Sequence, residues 1–231
     1  MIEKLLNKHY RPIDKEITIG QLLKQLLPQK EVVVMGIEGA GGSGKTILGK
    51  KLLEEFSPQN AALILLDDYV CFSSEEMKDK GILTRYDWRS RNRKKFLEDI
   101  ASLKQGHTIQ KPIQDYSKEA PAEETETVEP KPYIIVEGNL DVSDIADITV
   151  FLFAPDEILA ERRFLRDRQK QIHADETKLK SYIVQSLKYY HQFLEPAAEH
   201  AQIIIDTVSG TIYEKRNVDF LKRVFFDIMK S

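Results

Sequence analysis

Residues 35–56 read MGIEGAGGSGKTILGKKLLEEF, and this stretch decides the fold. It begins in a valine-rich apolar run, which predicts a buried strand over Glu31–Ile37. It ends in helix formers with apolar side chains three and four residues apart, which predicts an amphipathic helix over Gly44–Phe56. The glycines between the two elements indicate a tight backbone turn in which side chains would be in the way.

That turn matches the phosphate-binding pattern G-x-x-x-x-G-K-[ST], whose residues here are Gly39, Ala40, Gly41, Gly42, Ser43, Gly44, Lys45 and Thr46. Glycine lets successive backbone N–H groups turn inward around a phosphate, and the helix that follows points its positive end at the same anion. Lys45 would reach the outer phosphates and Thr46 would offer a hydroxyl to Mg²⁺. The sequence therefore predicts a site for ATP and Mg²⁺; the alternative is a glycine-rich turn with a chance Lys-Thr pair.

Further apolar runs alternate with amphipathic segments along the chain. The runs predict strands over Ala61–Leu66, Tyr133–Val136, Asp147–Phe153 and Gln202–Asp206. The amphipathic segments predict helices over Ile17–Leu27, Arg93–Lys104, Pro155–Lys170, Glu176–Ala201 and Val218–Met229. This alternation predicts an α/β fold of the P-loop NTPase type, with three α/β/α layers, a parallel sheet of about five strands and a helical lid.

The chain length of 231 residues suits a single domain. Within it we expect an N-terminal helical extension over residues 1–30 and a lid region over residues 155–175. The stretch Ser117–Lys131 is rich in Glu, Thr, Pro and Ala, and residues 117–132 are expected to form an exposed excursion.

Composition excludes several classes of function. The formal net charge is −3 and the pI about 6.0, which disfavours nucleic-acid motors and nucleic-acid partners. No apolar run approaches the length of a membrane span or a signal peptide, so no membrane partner is expected. Cys71 is the single cysteine, which fits a reducing compartment. We therefore expect a cytoplasmic protein.

Carboxylates follow two of the predicted strands. In an open parallel sheet the ligand lies at the carboxyl ends of the strands, so Asp67 or Asp68 could accept the proton of an attacking hydroxyl or orient it. Either aspartate could instead cap the segment that follows. Glu137 is followed by glycine and suits Mg²⁺, although a solvated strand end is the alternative.

Arginines cluster in the predicted lid helix. Arg162 or Arg163 would share a helix face with Arg166, because residues three and four apart lie side by side. Cations there could close over a transferring phosphoryl group, or they could form an ordinary charged face.

The order of these motifs resembles the uridine kinase and phosphoribulokinase family from about Val32 to Asp206. GAGGSGKT is similar to the family's G-x-S-G-S-G-K-T loop, LLDDYV is similar to its D-x-F-Y segment, and RYDW is similar to its N-F-D-H-P stretch. Further along the chain, IIVEGNL is similar to I-x-E-G-I-L, ERRFLRD is similar to R-R-x-x-R-D, and FLEPAAEHAQIIID is similar to the family's closing segment. The resemblance implies that Asp67 is the base, that Asp87 holds a pair of sugar hydroxyls, and that Glu137 lies near Mg²⁺.

Two segments depart from the family pattern. Gln114 stands where P-x-Y-D-F has tyrosine, with no histidine and arginine shortly after, and Gln169-Lys170-Gln171 replaces the R-G-R that continues the lid. The set that reads a pyrimidine is therefore not reproduced.

The prediction is an ATP- and Mg²⁺-dependent kinase that phosphorylates a hydroxyl of a small molecule, most simply a nucleoside. Lys45 and Arg166 would neutralise the transferred group, and Asp87, Tyr69 and Arg163 would contact the acceptor. The alternatives are a kinase for a sugar, a riboside vitamin or pantothenate, and an ATP-binding regulatory module. The sequence leaves homo-oligomerisation open.

Overall fold

The computed structural model describes residues 1–13, 16–115, 120–169 and 175–216. The predicted closing helix Val218–Met229 lies outside these ranges. Within them, no helix has both the length and the apolar character that crossing a membrane requires.

A seven-stranded sheet forms the centre of the described structure. Its strands are β1 Tyr10–Pro12, β2 Val33–Gly39, β3 Ala61–Leu65, β6 Tyr133–Glu137, β7 Ile148–Phe153, β8 Ile203–Asp206 and β9 Ile212–Lys215, while β4 Ile109–Asp115 and β5 Ala120–Val128 form a separate hairpin. The order across the sheet is β1-β9-β8-β7-β2-β6-β3. The five strands from β8 to β3 are parallel, which confirms the predicted core, and β9 and β1 add an antiparallel edge.

Helices cover both faces of the sheet. They are α1 Ile2–His9, α2 Ile19–Leu26, α3 Lys45–Glu55, α4 Ser74–Asp79, α5 Arg93–Lys104, α6 Asp156–Gln169 and α7 Glu176–Phe193. Alternate side chains of β2 point to opposite faces: Met35 packs with α2 and α3, and Val34 packs with α5. The predicted three-layer α/β/α architecture is therefore confirmed.

The first thirty residues contribute a strand as well as helices. Thr18 caps α2 through a reciprocal capping box with Gln21. Before that, β1 pairs with β9 and extends the sheet. The Tyr10 hydroxyl donates to the carbonyls of Ala198 and Ala201, at 3.0 and 2.6 Å. The segment expected to be a helical extension is thus also part of the sheet.

The polar stretch after Ser117 is mostly β5, which pairs with β4 although its side chains are largely exposed. An ion pair anchors this hairpin to the end of β3, because the Lys111 ammonium contacts the buried Asp68 carboxylate. The backbone N–H of Gln114 donates to the other oxygen of Asp68, at 3.1 Å. The hairpin is therefore attached beside the carboxyl ends of the strands.

Helix α6, which covers most of the predicted lid region, is attached through its middle and its start. Arg162 donates to the side chain and the carbonyl of Thr207, at 2.8 and 3.0 Å. His191 of α7 lies between Asp156 at the start of α6 and Glu195, with 2.9 Å from a ring nitrogen to each carboxylate. Partial burial lowers the pKa of His191, but the hydrogen bonds to both carboxylates outweigh it and raise the pKa above its ordinary value.

The anchor of the hairpin generates a stability prediction. Removing Asp68 leaves the buried ammonium of Lys111 with the neutral Pro112 carbonyl at 3.2 Å and the exposed Glu126 carboxylate at 3.1 Å. Asp68→Ala should lower the free energy of unfolding by about 3 kcal/mol. The control Glu126→Gln removes the exposed partner of the same lysine and should cost less than about 1 kcal/mol. Urea titrations of both variants measure the difference, and equal losses would contradict the assignment of Asp68 as the anchor.

The histidine between α6 and α7 generates a pH prediction. A pKa raised in the folded state means that His191 stabilises the protein fully below about pH 6.5, its unfolded value, and loses this contribution as the pH rises through the folded value. His191→Gln should therefore lower the melting temperature more at pH 6 than at pH 9. The exposed His107, changed to Gln, is the control and should show no such difference.

Candidate active site

The loop between β2 and α3 adopts a backbone conformation that residues with side chains rarely adopt. Gly39, Gly42 and Gly44 have positive φ angles of 147°, 88° and 96°. A Cβ on Gly39 would lie 2.5 Å from the Leu152 carbonyl oxygen, and one on Gly42 would lie 3.0 Å from the Leu159 carbonyl oxygen. The glycines at these positions allow the loop to pack against β7 and α6 while it curves at the start of α3.

Lys45 is buried at the start of α3. Its ammonium donates to the Ala40 carbonyl at 3.0 Å, across the loop. Burial lowers the pKa of Lys45, against the opposing charges of Glu137 and Asp67. The N–H of Gly41 donates to the Tyr86 hydroxyl at 3.2 Å. The loop thus offers a cation and backbone N–H groups in one place, which is the chemistry that a phosphate needs.

Thr46 and Glu137 come together from different elements. The Thr46 hydroxyl donates to Glu137 Oε2 at 2.9 Å. Burial raises the pKa of Glu137, and the nearby charge of Lys45 opposes that effect. A hydroxyl and a buried carboxylate are hard oxygen donors of the kind that Mg²⁺ takes, so this pair fits the ion.

The two consecutive aspartates after β3 have different surroundings. Asp68 is buried and holds the hairpin through Lys111. Asp67 keeps 45% of its side chain exposed and faces the cavity beside Lys45. The structure therefore separates two residues that the strand-end pattern left equivalent and of which the family resemblance singled out Asp67.

The three lid arginines also differ. Arg162 turns away to Thr207, as described above. Arg163 is mostly buried; it donates to the Ser186 hydroxyl and lies with its guanidinium 4.9 Å from the centre of the Tyr182 ring. Arg166 is 47% exposed and donates to Asp167 at 2.7 Å. Arg163 and Arg166 both line the cavity with the loop.

Two of the residues predicted to contact the acceptor, Tyr69 and Asp87, do not line the cavity. The prediction for Tyr69 is wrong, because its ring is fully buried in the core and its hydroxyl donates to Asp99 at 2.9 Å. Asp87 caps a short 3₁₀ turn and pairs with Arg89, and it is not among the residues that line the cavity. A role for Asp87 in holding sugar hydroxyls stays a prediction.

The cavity has a volume of about 870 Å³ and extends from the loop to a second region. That region is lined by residues from α4, the segment after it, the hairpin and α7, including Met77, Ile82, Leu83, Gln114, Tyr182, Gln185 and Tyr189. A volume of this size accommodates a phosphate chain together with a small acceptor.

Sequence reasoning missed Arg91 and Asn139. Arg91 has a buried side chain and donates to Asp67 Oδ1 at 2.6 Å. Asn139 follows Glu137 in the cavity wall and accepts from Arg91 at 3.3 Å. Arg91 lies in a run of charged residues, RSRNRKK, which looks like an exposed surface, so no signal in the sequence singles it out.

Residues 34–213 match the model of the Phosphoribulokinase / Uridine kinase family. Among curated proteins, the chain is 31% identical over 183 residues to a uridine kinase of Ligilactobacillus salivarius, covering 77% of this chain and 86% of that protein. It is 33% identical over 181 residues to a uridine kinase of Leuconostoc citreum, covering 75% of this chain and 86% of that one.

Solved structures show a similar fold. A D-glycerate 3-kinase from Cryptococcus neoformans superposes with a TM-score of 0.62 at 13% identity, covering 85% of this chain and 95% of that one. At this identity the likeness supports the fold alone.

The loop geometry generates a prediction about nucleotide binding. Gly39→Ala should lower the affinity for ATP by at least about tenfold, since its Cβ meets a backbone carbonyl and the loop must shift. The control is Gly106→Ala. Gly106 also has a positive φ angle, 81°, but a Cβ there would meet open space, so this variant should bind ATP normally. Calorimetric titration with ATP measures both variants. Normal binding by Gly39→Ala would contradict the packing argument.

Proposed function

As a member of the Phosphoribulokinase / Uridine kinase family, this chain is an ATP-dependent small-molecule kinase, and we propose that its acceptor is a nucleoside such as uridine. One observation carries the site assignment: Asp67, Lys45, Arg166 and the glycine loop line the same cavity, although they come from separate segments of the sequence. The proposal extends to a cytoplasmic enzyme that works with Mg²⁺.

The loop and the cations would bind and neutralise the phosphates. Backbone N–H groups of the loop and of the start of α3 would bind the phosphate chain, with Lys45 beside them. Arg166 is exposed enough to move toward the transferred phosphoryl group. Phosphoryl transfer needs positioning and charge neutralisation more than covalent chemistry, and these groups would contribute to both.

Thr46 and Glu137 would hold Mg²⁺ through their oxygens. The ion supplies further neutralisation of the phosphate oxygens when it is bound. Asp67 would accept a hydrogen bond from the attacking hydroxyl and orient it.

The acceptor region supports a nucleoside through its mixture of groups. Tyr182 and Tyr189 present aromatic rings, and Gln114 and Gln185 present amides that both donate and accept hydrogen bonds. A flat base with polar edges matches that combination. The replacement of tyrosine by Gln114 also favours a second candidate, a kinase of the same mechanism for another small hydroxylated metabolite.

The test is consumption of Mg-ATP against a panel of nucleosides, ribosides and small sugars, with Lys45→Ala as the blank. Stimulation by uridine or cytidine supports the proposal. Stimulation by a different acceptor alone would keep the mechanism and replace the substrate. ATP binding without stimulation by any acceptor would favour a regulatory module.

Asp67→Asn generates a prediction about the mechanism. It should lower kcat at least about 100-fold, because the amide is a poor acceptor for the hydroxyl proton, and it should leave ATP affinity unchanged. Single-turnover kinetics and ATP titration measure the two effects separately. Unchanged turnover would remove Asp67 from the catalytic role.

A further inference from the structure

We infer that Arg91 is a positioning residue for Asp67: its guanidinium holds one oxygen of the carboxylate so that the other faces the acceptor. The inference rests on the proposed function, since it gives Arg91 a role only through the catalytic role of Asp67.

Arg91 is held at every part of its guanidinium. Nε donates to the Leu66 carbonyl at 3.0 Å, and Nη1 donates to the Ser90 hydroxyl at 2.8 Å. Nη2 donates both to Asp67 Oδ1, at 2.6 Å, and to Asn139 Oδ1, at 3.3 Å. Four of its five N–H donors are therefore used within the protein, and only 1% of the side chain is exposed.

The partner carboxylate is held on one side only. Oδ1 of Asp67 accepts from Arg91, while Oδ2 receives no hydrogen bond from any residue in the described ranges. The side chain is 45% exposed and lies in the cavity wall. One oxygen is thus fixed and the other is open to the cavity, which is the arrangement required to orient a hydroxyl.

The charges around Asp67 favour its ionised form. Burial by itself would raise the pKa of Asp67, but the charges of Arg91, Lys45 and Arg85 and the hydrogen bond from Arg91 outweigh it and hold the pKa below its ordinary value. Glu137 is the acidic neighbour that faces the same group and opposes the cations. A carboxylate held in this way is a weak base and a good orienting acceptor.

The residues that build this support come from three segments. Leu66 directly follows β3, Arg91 lies just before α5, and Asn139 follows β6. Asn139 stands where the motif I-x-E-G-I-L has an apolar residue. The arrangement is therefore a feature of this chain's own sequence and is formed only in the folded protein.

The test is a double-mutant cycle on kcat with the acceptor identified in the substrate panel. Arg91→Met removes the charge and should lower kcat between about tenfold and 100-fold, with the KM for ATP unchanged, because a small displacement of a catalytic group costs that much. Added to Asp67→Asn, the same change should lower kcat no further, because Arg91 acts through the residue already lost. Arg91→Lys keeps the charge and should recover part of the rate.

A merely structural arginine would give a different result. In that case Arg91→Met would lower kcat by the same factor in the presence and in the absence of Asp67, and this outcome overturns the inference. Arg93→Met is the matched control, because Arg93 is exposed and pairs with Asp144 outside the cavity, so kcat should be unchanged.

Failures of the two proposals are distinguishable. Full turnover by Asp67→Asn alone contradicts the catalytic role of Asp67, whatever Arg91 does. Melting curves show whether Arg91→Met folds; if it does not, the same cycle is measured with Arg91→Lys, which should show the same lack of additivity. Additive losses with Arg91→Lys overturn the inference in that case.

Discussion

The site depends on how closely the end of β2 approaches β7 and α6. A Cβ on Gly39 would lie 2.5 Å from a carbonyl of β7, and one on Gly42 would lie 3.0 Å from a carbonyl of α6. This packing positions the loop directly before α3. The Lys45 ammonium donates across the loop to the Ala40 carbonyl. The neighbouring strands then end beside the loop, so that Asp67 and Glu137 lie near Lys45.

Each of these charged groups of the site contacts a polar or oppositely charged partner. Arg91 holds Asp67, Thr46 donates to Glu137, and Arg163 and Arg166 both contact Asp167. Each buried charge needs such a partner, because leaving water is costly for an ion. Arg166 and the open oxygen of Asp67 are the more exposed members of these pairs, so they are the groups able to exchange a protein partner for a substrate.

The acceptor region is formed by segments whose roles the sequence patterns do not predict. The buried ion pair between Lys111 and Asp68 holds the polar hairpin in place. It thereby positions Gln114 in the cavity wall. The aromatic and amide side chains of α7 line the same cavity. Acceptor recognition is therefore distributed over segments that are distant in sequence, whereas phosphate binding is local.

The sequence by itself determined the parallel core, the glycine loop and the strand-end carboxylates, because these follow from local patterns: apolar runs, glycine spacing and residues placed directly after strands. It also predicted α2, for the same reason. Only the tertiary structure showed that Asp68 is buried while Asp67 lines the cavity, that Tyr69 lies in the core, and that Arg91 contacts Asp67. Those outcomes depend on contacts between residues far apart in the chain, such as Asp68 with Lys111, and a one-dimensional pattern does not encode which distant partner a side chain meets.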